Sequence, residues 1–118
     1  MMVQEMIDVL KRKAPDTRIS YGFARMQPTR LASWRGDYSQ LALGWSEPTP
    51  GQEPMTAGRL AEMLEKCVGR TYPGWHGGEY RMSGETQVYC DNSGCWTSTR
   101  IADIVDIEGE LVIVTERF

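Results

Sequence analysis

The residues with the clearest chemical potential lie in Trp34-Arg35-Gly36-Asp37-Tyr38, which sets a guanidinium between two aromatics at a turn. Aromatic faces stack on nucleobases, and arginine both stacks and pairs with phosphate. The same pattern also fits a plain hairpin, with Trp34 in the core and Arg35 paired to Asp37. A second run, Trp75-His76-Gly77-Gly78-Glu79-Tyr80-Arg81-Met82, is glycine-rich beside aromatics. A glycine pair lets backbone N–H groups approach an anion closely. The run matches neither the phosphate loop Gly-x4-Gly-Lys-Ser/Thr nor the dinucleotide pattern Gly-x-Gly-x-x-Gly, so a turn with positive φ accounts for the glycines more simply. Asp91-Asn92-Ser93-Gly94 reads as a turn whose Asn92 could also face an adenine edge. Thr97-Ser98-Thr99 sets hydroxyls beside Arg100, a combination that holds phosphate or simply makes a solvated strand.

For catalysis the inventory is thin. His76 is the only imidazole. There is no Gly-x-Ser-x-Gly elbow or His-Glu-x-x-His, and no carboxylate pair stands out. A Cys–His dyad through His76 has no local signature behind it. We therefore expect no catalytic residue and no cofactor. Cys67, Cys90 and Cys95 are an odd number of thiols without a Cys-x-x-Cys. A zinc site would need all three and His76, so reduced, part-buried thiols and no metal are expected.

Charge is unevenly spread over the 118 residues. Thirteen Lys and Arg oppose sixteen Asp and Glu, a net −3, and ten of the cations are arginine. From Asp103 onward there are five acids and one cation, Arg117. Between Thr17 and Trp45 there are four arginines (Arg18, Arg25, Arg30, Arg35) and one acid, Asp37. Guanidinium groups offer phosphate a flat, two-pronged donor set that ammonium lacks. This basic β region suits a small phosphorylated ligand. Arginine-rich codon usage would give the same count. The overall negative charge argues against a general nucleic-acid coat. No apolar run approaches the ~18 residues of a membrane span, and the N-terminus lacks a signal-peptide core, so a cytoplasmic protein is expected.

These groups must be carried by elements that the hydrophobic pattern marks. Val3 to Lys13 has Val3, Met6, Ile7 and Leu10 at helical spacing, ending at Ala14-Pro15-Asp16. Strand-like runs cover Thr17 to Phe23, Thr29 to Trp34 and Gln40 to Trp45, the last two joined at Arg35-Gly36-Asp37-Tyr38. Glu47 to Pro54 holds three prolines and reads as a surface loop. A second helix starts after the N-cap Thr56, repeats Leu60, Met63, Leu64 and Cys67 at helical spacing, and stops at Gly69. Tyr80 to Met82, Gln87 to Cys90, Ile101 to Ile107 and Leu111 to Glu116 read as strands, with Glu108-Gly109 a hairpin turn. Strands in blocks define an α+β class: one domain over residues 1–118, with a mostly antiparallel sheet of six or seven strands and two packed helices.

The run Ser33-Trp34-Arg35-Gly36-Asp37-Tyr38-Ser39-Gln40-Leu41-Ala42-Leu43-Gly44-Trp45 resembles small proteins carried by bacteriophages. So does Gly69-Arg70-Thr71-Tyr72-Pro73-Gly74-Trp75-His76-Gly77-Gly78-Glu79-Tyr80-Arg81-Met82. The functional family whose length and α+β layout this chain resembles is the first Thoeris anti-defence family, phage proteins that sequester immune signals. The resemblance implies a homo-oligomer, dimer or hexamer, in the cytoplasm of the infected bacterial host. It would bind cyclic ADP-ribose isomers, and in some members cyclic oligonucleotides, without cleaving them. It also implies a site built from Arg35 and Arg59, Met82 or Tyr80 as the adenine stacker, and Asn92, with Arg100 or Arg117 as a further phosphate clamp. Trp34 joins these as the aromatic beside Arg35. Met82 departs from an aromatic stacker.

The leading expectation is thus a capture protein for a small cyclic nucleotide. Two other classes compete. One is an inhibitor that covers a host defence effector, in the manner of an anti-CRISPR, through its acidic C-terminal strands. The other is a small nucleotide-processing enzyme using His76.

Overall fold

Val3, Met6, Ile7 and Leu10 do fall on one face, the buried face of α1 (Val3–Lys11). The helix ends two residues earlier than its apolar pattern predicts. The N–H groups of Arg12 and Lys13 bond to the carbonyls of Val9 and Leu10, three residues back. That tighter turn leads the chain out before Pro15. In the computed structural model, which describes residues 1–23, 25–91 and 99–118, α1 is followed by β1 (Ile19–Tyr21), β2 (Gln27–Trp34) and β3 (Asp37–Ser46). Then come α2 (Ala57–Cys67), β4 (Thr71–Pro73), β5 (Glu79–Arg81), β6 (Val88–Asp91), β7 (Thr99–Ile107) and β8 (Glu110–Arg117).

The protein is α+β. Six strands form one sheet in the order β1-β8-β7-β6-β3-β2, and β4 pairs with β5 as a separate ribbon. Three of the five pairings in the large sheet are antiparallel. The exceptions are β1 with β8 and β3 with β6. The strand β4 lies where the sequence pattern shows only a turn-rich loop. Three residues ending in proline carry too little alternation to stand out.

The edge strands β1 and β2 are joined by residues 22–26 alone, so the sheet must curl to bring its two edges together. Tyr21 N donates to Met26 O at 2.8 Å across that turn. Tyr21 Oη donates to Leu43 O, in a strand four places away in the sheet, at 2.7 Å. Leu41, Leu43, Val88, Cys90, Ile101, Leu111 and Ile113 line the inside of the curl. The apolar faces of α1 and α2 close it, and the two helices pack on each other. At its N-terminal end the chain mends a gap in the ladder: Met1 O accepts from Val88 N, and Met1 N donates to Ile101 O at 2.7 Å. Among the described residues, no helix is long and apolar enough to cross a membrane.

Thr56 caps α2, its side chain accepting from Arg59 N, and Gly69 takes φ +83 just beyond the helix. Gly58, in the first turn, touches Pro15. A Cβ there would stand 2.9 Å from Pro15 Cβ and 3.0 Å from Pro15 O. Gly58→Ala gains about 1 kcal/mol of helix propensity, whereas crowding against backbone costs about 1–3 kcal/mol. We expect net destabilisation by about 1 kcal/mol, read as a lower midpoint in urea unfolding.

Candidate functional site

The β2–β3 hairpin pairs Trp34 with Asp37 around the two-residue turn Arg35-Gly36. The Asp37 carboxylate accepts from Ser39 N at 3.0 Å and from Ser39 Oγ at 2.7 Å. These bonds hold its pKa below the usual carboxylate value and lock the start of β3 in an Asx turn. The hairpin therefore presents Arg35 at its tip. The guanidinium lies over the indole of Trp75, 4.5 Å from the ring centroid.

Trp75 comes from the β4–β5 ribbon. Tyr72 pairs with Tyr80, and the turn between the strands closes with Gly74 N donating to Gly78 O. Gly77 and Gly78 have φ of +97 and +78. The turn reading of these glycines is thus what the structure shows. Trp75 Nε1 donates to Ser33 O at 3.1 Å, which ties the ribbon to β2. Gly74 is required by contact: a Cβ would stand 2.8 Å from the Tyr80 ring and 3.0 Å from the Tyr38 ring. Tyr38 meets Tyr80 edge-on at 5.6 Å and His76 at 6.2 Å. Trp75 is 48% exposed. The result is an open platform of Arg35, Trp75, Tyr38, Tyr80 and His76.

A second aromatic group lies on the outer face of the sheet. Trp34 stacks on Tyr89 with ring centroids 3.7 Å apart, and Phe118 packs beside both. Trp34 is only 8% exposed, so the expectation that it faces a ligand gives way to a packed role against Tyr89. Arg100 sits above Phe118 and pairs with Glu116 at 2.8 Å.

The remaining expected site residues are dispersed. Met82 is 1% exposed and belongs to the core, because β5 ends at Arg81 and the chain turns inward there. It is not available to stack on a ligand. Tyr80 is half-buried on the platform. Arg59 is exposed at the start of α2, its guanidinium donating to Pro54 O at 3.2 Å. Arg117 is exposed at the end of β8, beside Thr99. Asn92, with Cys95, Thr97 and Ser98, lies outside the described residues.

The four arginines of the basic region do not gather at the hairpin either. Arg30 reaches Trp45 O at 3.0 Å and Asp91 at 3.7 Å on the outer sheet face. Arg18 and Arg25 border a cleft at the β1 edge. The alternation of a strand sends neighbouring side chains to opposite faces, which nearness in sequence conceals. Trp75, Tyr38 and His76 are the platform members that the expected ligand-binding set leaves out. Their signal is a Trp beside a Gly-Gly turn and a Tyr directly after the Arg-Gly tip.

Among the described residues, no three His, Cys, Asp or Glu side chains come together as a metal-binding group. Burial raises the thiols of Cys67 and Cys90 to about 11, and burial pushes the Tyr21 hydroxyl well above its ordinary value. No protein-family model, no curated protein and no solved structure matches the chain.

These shifts make a pH prediction. The three groups fold in their neutral forms, so their contribution to stability is intact below the unfolded thiol value of about 9 and falls as pH rises toward 11. We expect the melting temperature to drop between pH 9 and pH 11. Cys67 and Cys90 should also stay unlabelled by iodoacetamide at pH 8 until the chain is denatured, as peptide mapping would report.

Proposed function

We propose that this chain is a capture protein for a small cyclic nucleotide of the immune-signal type, held without being cleaved. One observation carries the reading: the Arg35 guanidinium lies on an exposed indole, Trp75, beside Tyr38 and Tyr80. An indole and two phenol rings offer stacking surface to an adenine, and a guanidinium beside them offers charge to a phosphate. The resemblance to the first Thoeris anti-defence family, in an infected bacterial cytoplasm, agrees with that chemistry. A homo-oligomer would extend the open platform into an enclosed site, which a single copy does not provide.

The exposed end of the β7–β8 hairpin favours a second reading. Ile107 is 54% exposed and is followed by Glu108 and Glu110, an apolar residue in an acidic setting that suits contact with a basic effector surface.

Native mass spectrometry with cyclic ADP-ribose isomers and cyclic dinucleotides tests both. The capture reading expects an intact ligand released on denaturation, and an oligomer in the same spectrum. Base–aromatic stacking is worth about 1–3 kcal/mol, so Trp75→Ala should weaken capture by at least fivefold. Arg35→Ala and Asn92→Ala should abolish it with the fold retained. A released product would point to an enzyme. Co-elution with an effector, unaffected by nucleotide, would favour the inhibitor.

A further inference from the structure

Arg18 and Arg25 flank β1, one just before it and one in the turn beyond it. Both line a cleft of about 200 Å³ that also takes in Ser20 and Glu110. Arg18 and Ser20 are two residues apart along an extended chain, so their side chains leave the same face. The pairing of Ile19 with Leu111 puts Glu110 alongside Arg18. A neighbouring cavity of about 530 Å³ shares Ser20, Arg25 and Glu110 and adds Glu108. The larger volume lies within the ~300–1,000 Å³ of small-molecule sites.

Two observations mark the cleft as more than a groove between strands. Among the described residues, Arg18 and Arg25 are in no ion pair, although Glu110 borders the same space. In addition, Arg25 is held at φ +52, a left-handed backbone that long side chains rarely adopt. The turn that carries it is closed by Tyr21 N donating to Met26 O and Met26 N donating to Phe23 O. Such constraints persist where the surrounding structure enforces them, and they concentrate at ligand sites. Here the constraint holds a guanidinium at the cleft wall.

We propose that this cleft binds a small sugar phosphate. The phosphate lies between the Arg18 and Arg25 guanidiniums, which supply paired, charge-assisted donors. The Glu110 carboxylate, an acceptor only, takes a sugar hydroxyl, with the Ser20 hydroxyl beside it. The larger cavity leaves room for the rest of the molecule. This site is separate in its residues from the Arg35–Trp75 platform.

Isothermal titration with ribose 5-phosphate, ribose and inorganic phosphate provides the test. Ribose 5-phosphate should bind saturably, more tightly than phosphate and with an affinity that falls as NaCl is raised, and ribose should not bind. Arg18→Gln and Arg25→Gln should each cost at least tenfold, with unchanged circular dichroism, since both side chains are exposed. Arg25→Gly should lose binding without lowering the melting temperature, because glycine accepts the left-handed backbone. Trp75→Ala should bind as the parent does. The proposal is overturned by absent binding of ribose 5-phosphate, by equal binding of ribose, by full affinity in the two glutamine variants, or by loss of affinity in Trp75→Ala.

Discussion

The hydrogen bond from Tyr21 to the Leu43 carbonyl expresses the constraint on which the rest of the molecule depends. Strands β1 and β3 are four places apart, a distance of roughly 19 Å across a flat sheet at the usual strand spacing. A bond of 2.7 Å between them requires the sheet to wrap until its inner faces meet. The five residues between β1 and β2 demand the same closure from the edges. A buried phenol left without an acceptor would cost about 1–3 kcal/mol, so a flatter sheet is opposed by chemistry as well as by chain length. Both helices cover the interior that the wrap creates. The hairpin tip and the β1 cleft are places where the wrap brings strand ends to the surface.

Local order was legible in the residues. The apolar spacing of Val3, Met6, Ile7 and Leu10, the cap at Thr56 and the stop at Gly69 each have a physical signature within one or two turns, and each appears in the structure. The Glu108-Gly109 turn is equally local, with both residues at positive φ. Partnership between strands was not legible. Alternation tells which side chains share a face but says nothing of which strand lies beside which. The parallel pairings of β1 with β8 and of β3 with β6 therefore have no trace in the pattern.

The same limit applies to the sites. Arg35 was visible at a turn because Arg35-Gly36-Asp37-Tyr38 separates two strand-like runs, although the structure narrows that turn to Arg35-Gly36. Its contact with Trp75 depends on a ribbon forty residues further along the chain, and on Gly74 admitting two rings to close approach. Met82 was expected at the site only through the resemblance, as an alternative to Tyr80 for stacking on adenine. It is core because the chain turns inward after a three-residue strand. The four arginines looked like one patch in sequence. Their charges are instead divided among the hairpin tip, the outer sheet face and the β1 cleft, so the protein offers anions separate points of attachment.

The pairing of β1 with β8 has a consequence for how the chain reaches this state. Ile19 finds its partner at Leu111, near the opposite end of the polypeptide. The two must meet through a loop of about ninety residues, and the entropy of closing it precedes any reward from the contact. Strands β2 and β3, by contrast, are joined by the two-residue turn Arg35-Gly36, so their pairing closes almost no loop. Of the five pairings in the large sheet, β1 with β8 therefore carries the largest closure cost, and the wrap rests on the contact that is entropically hardest to form.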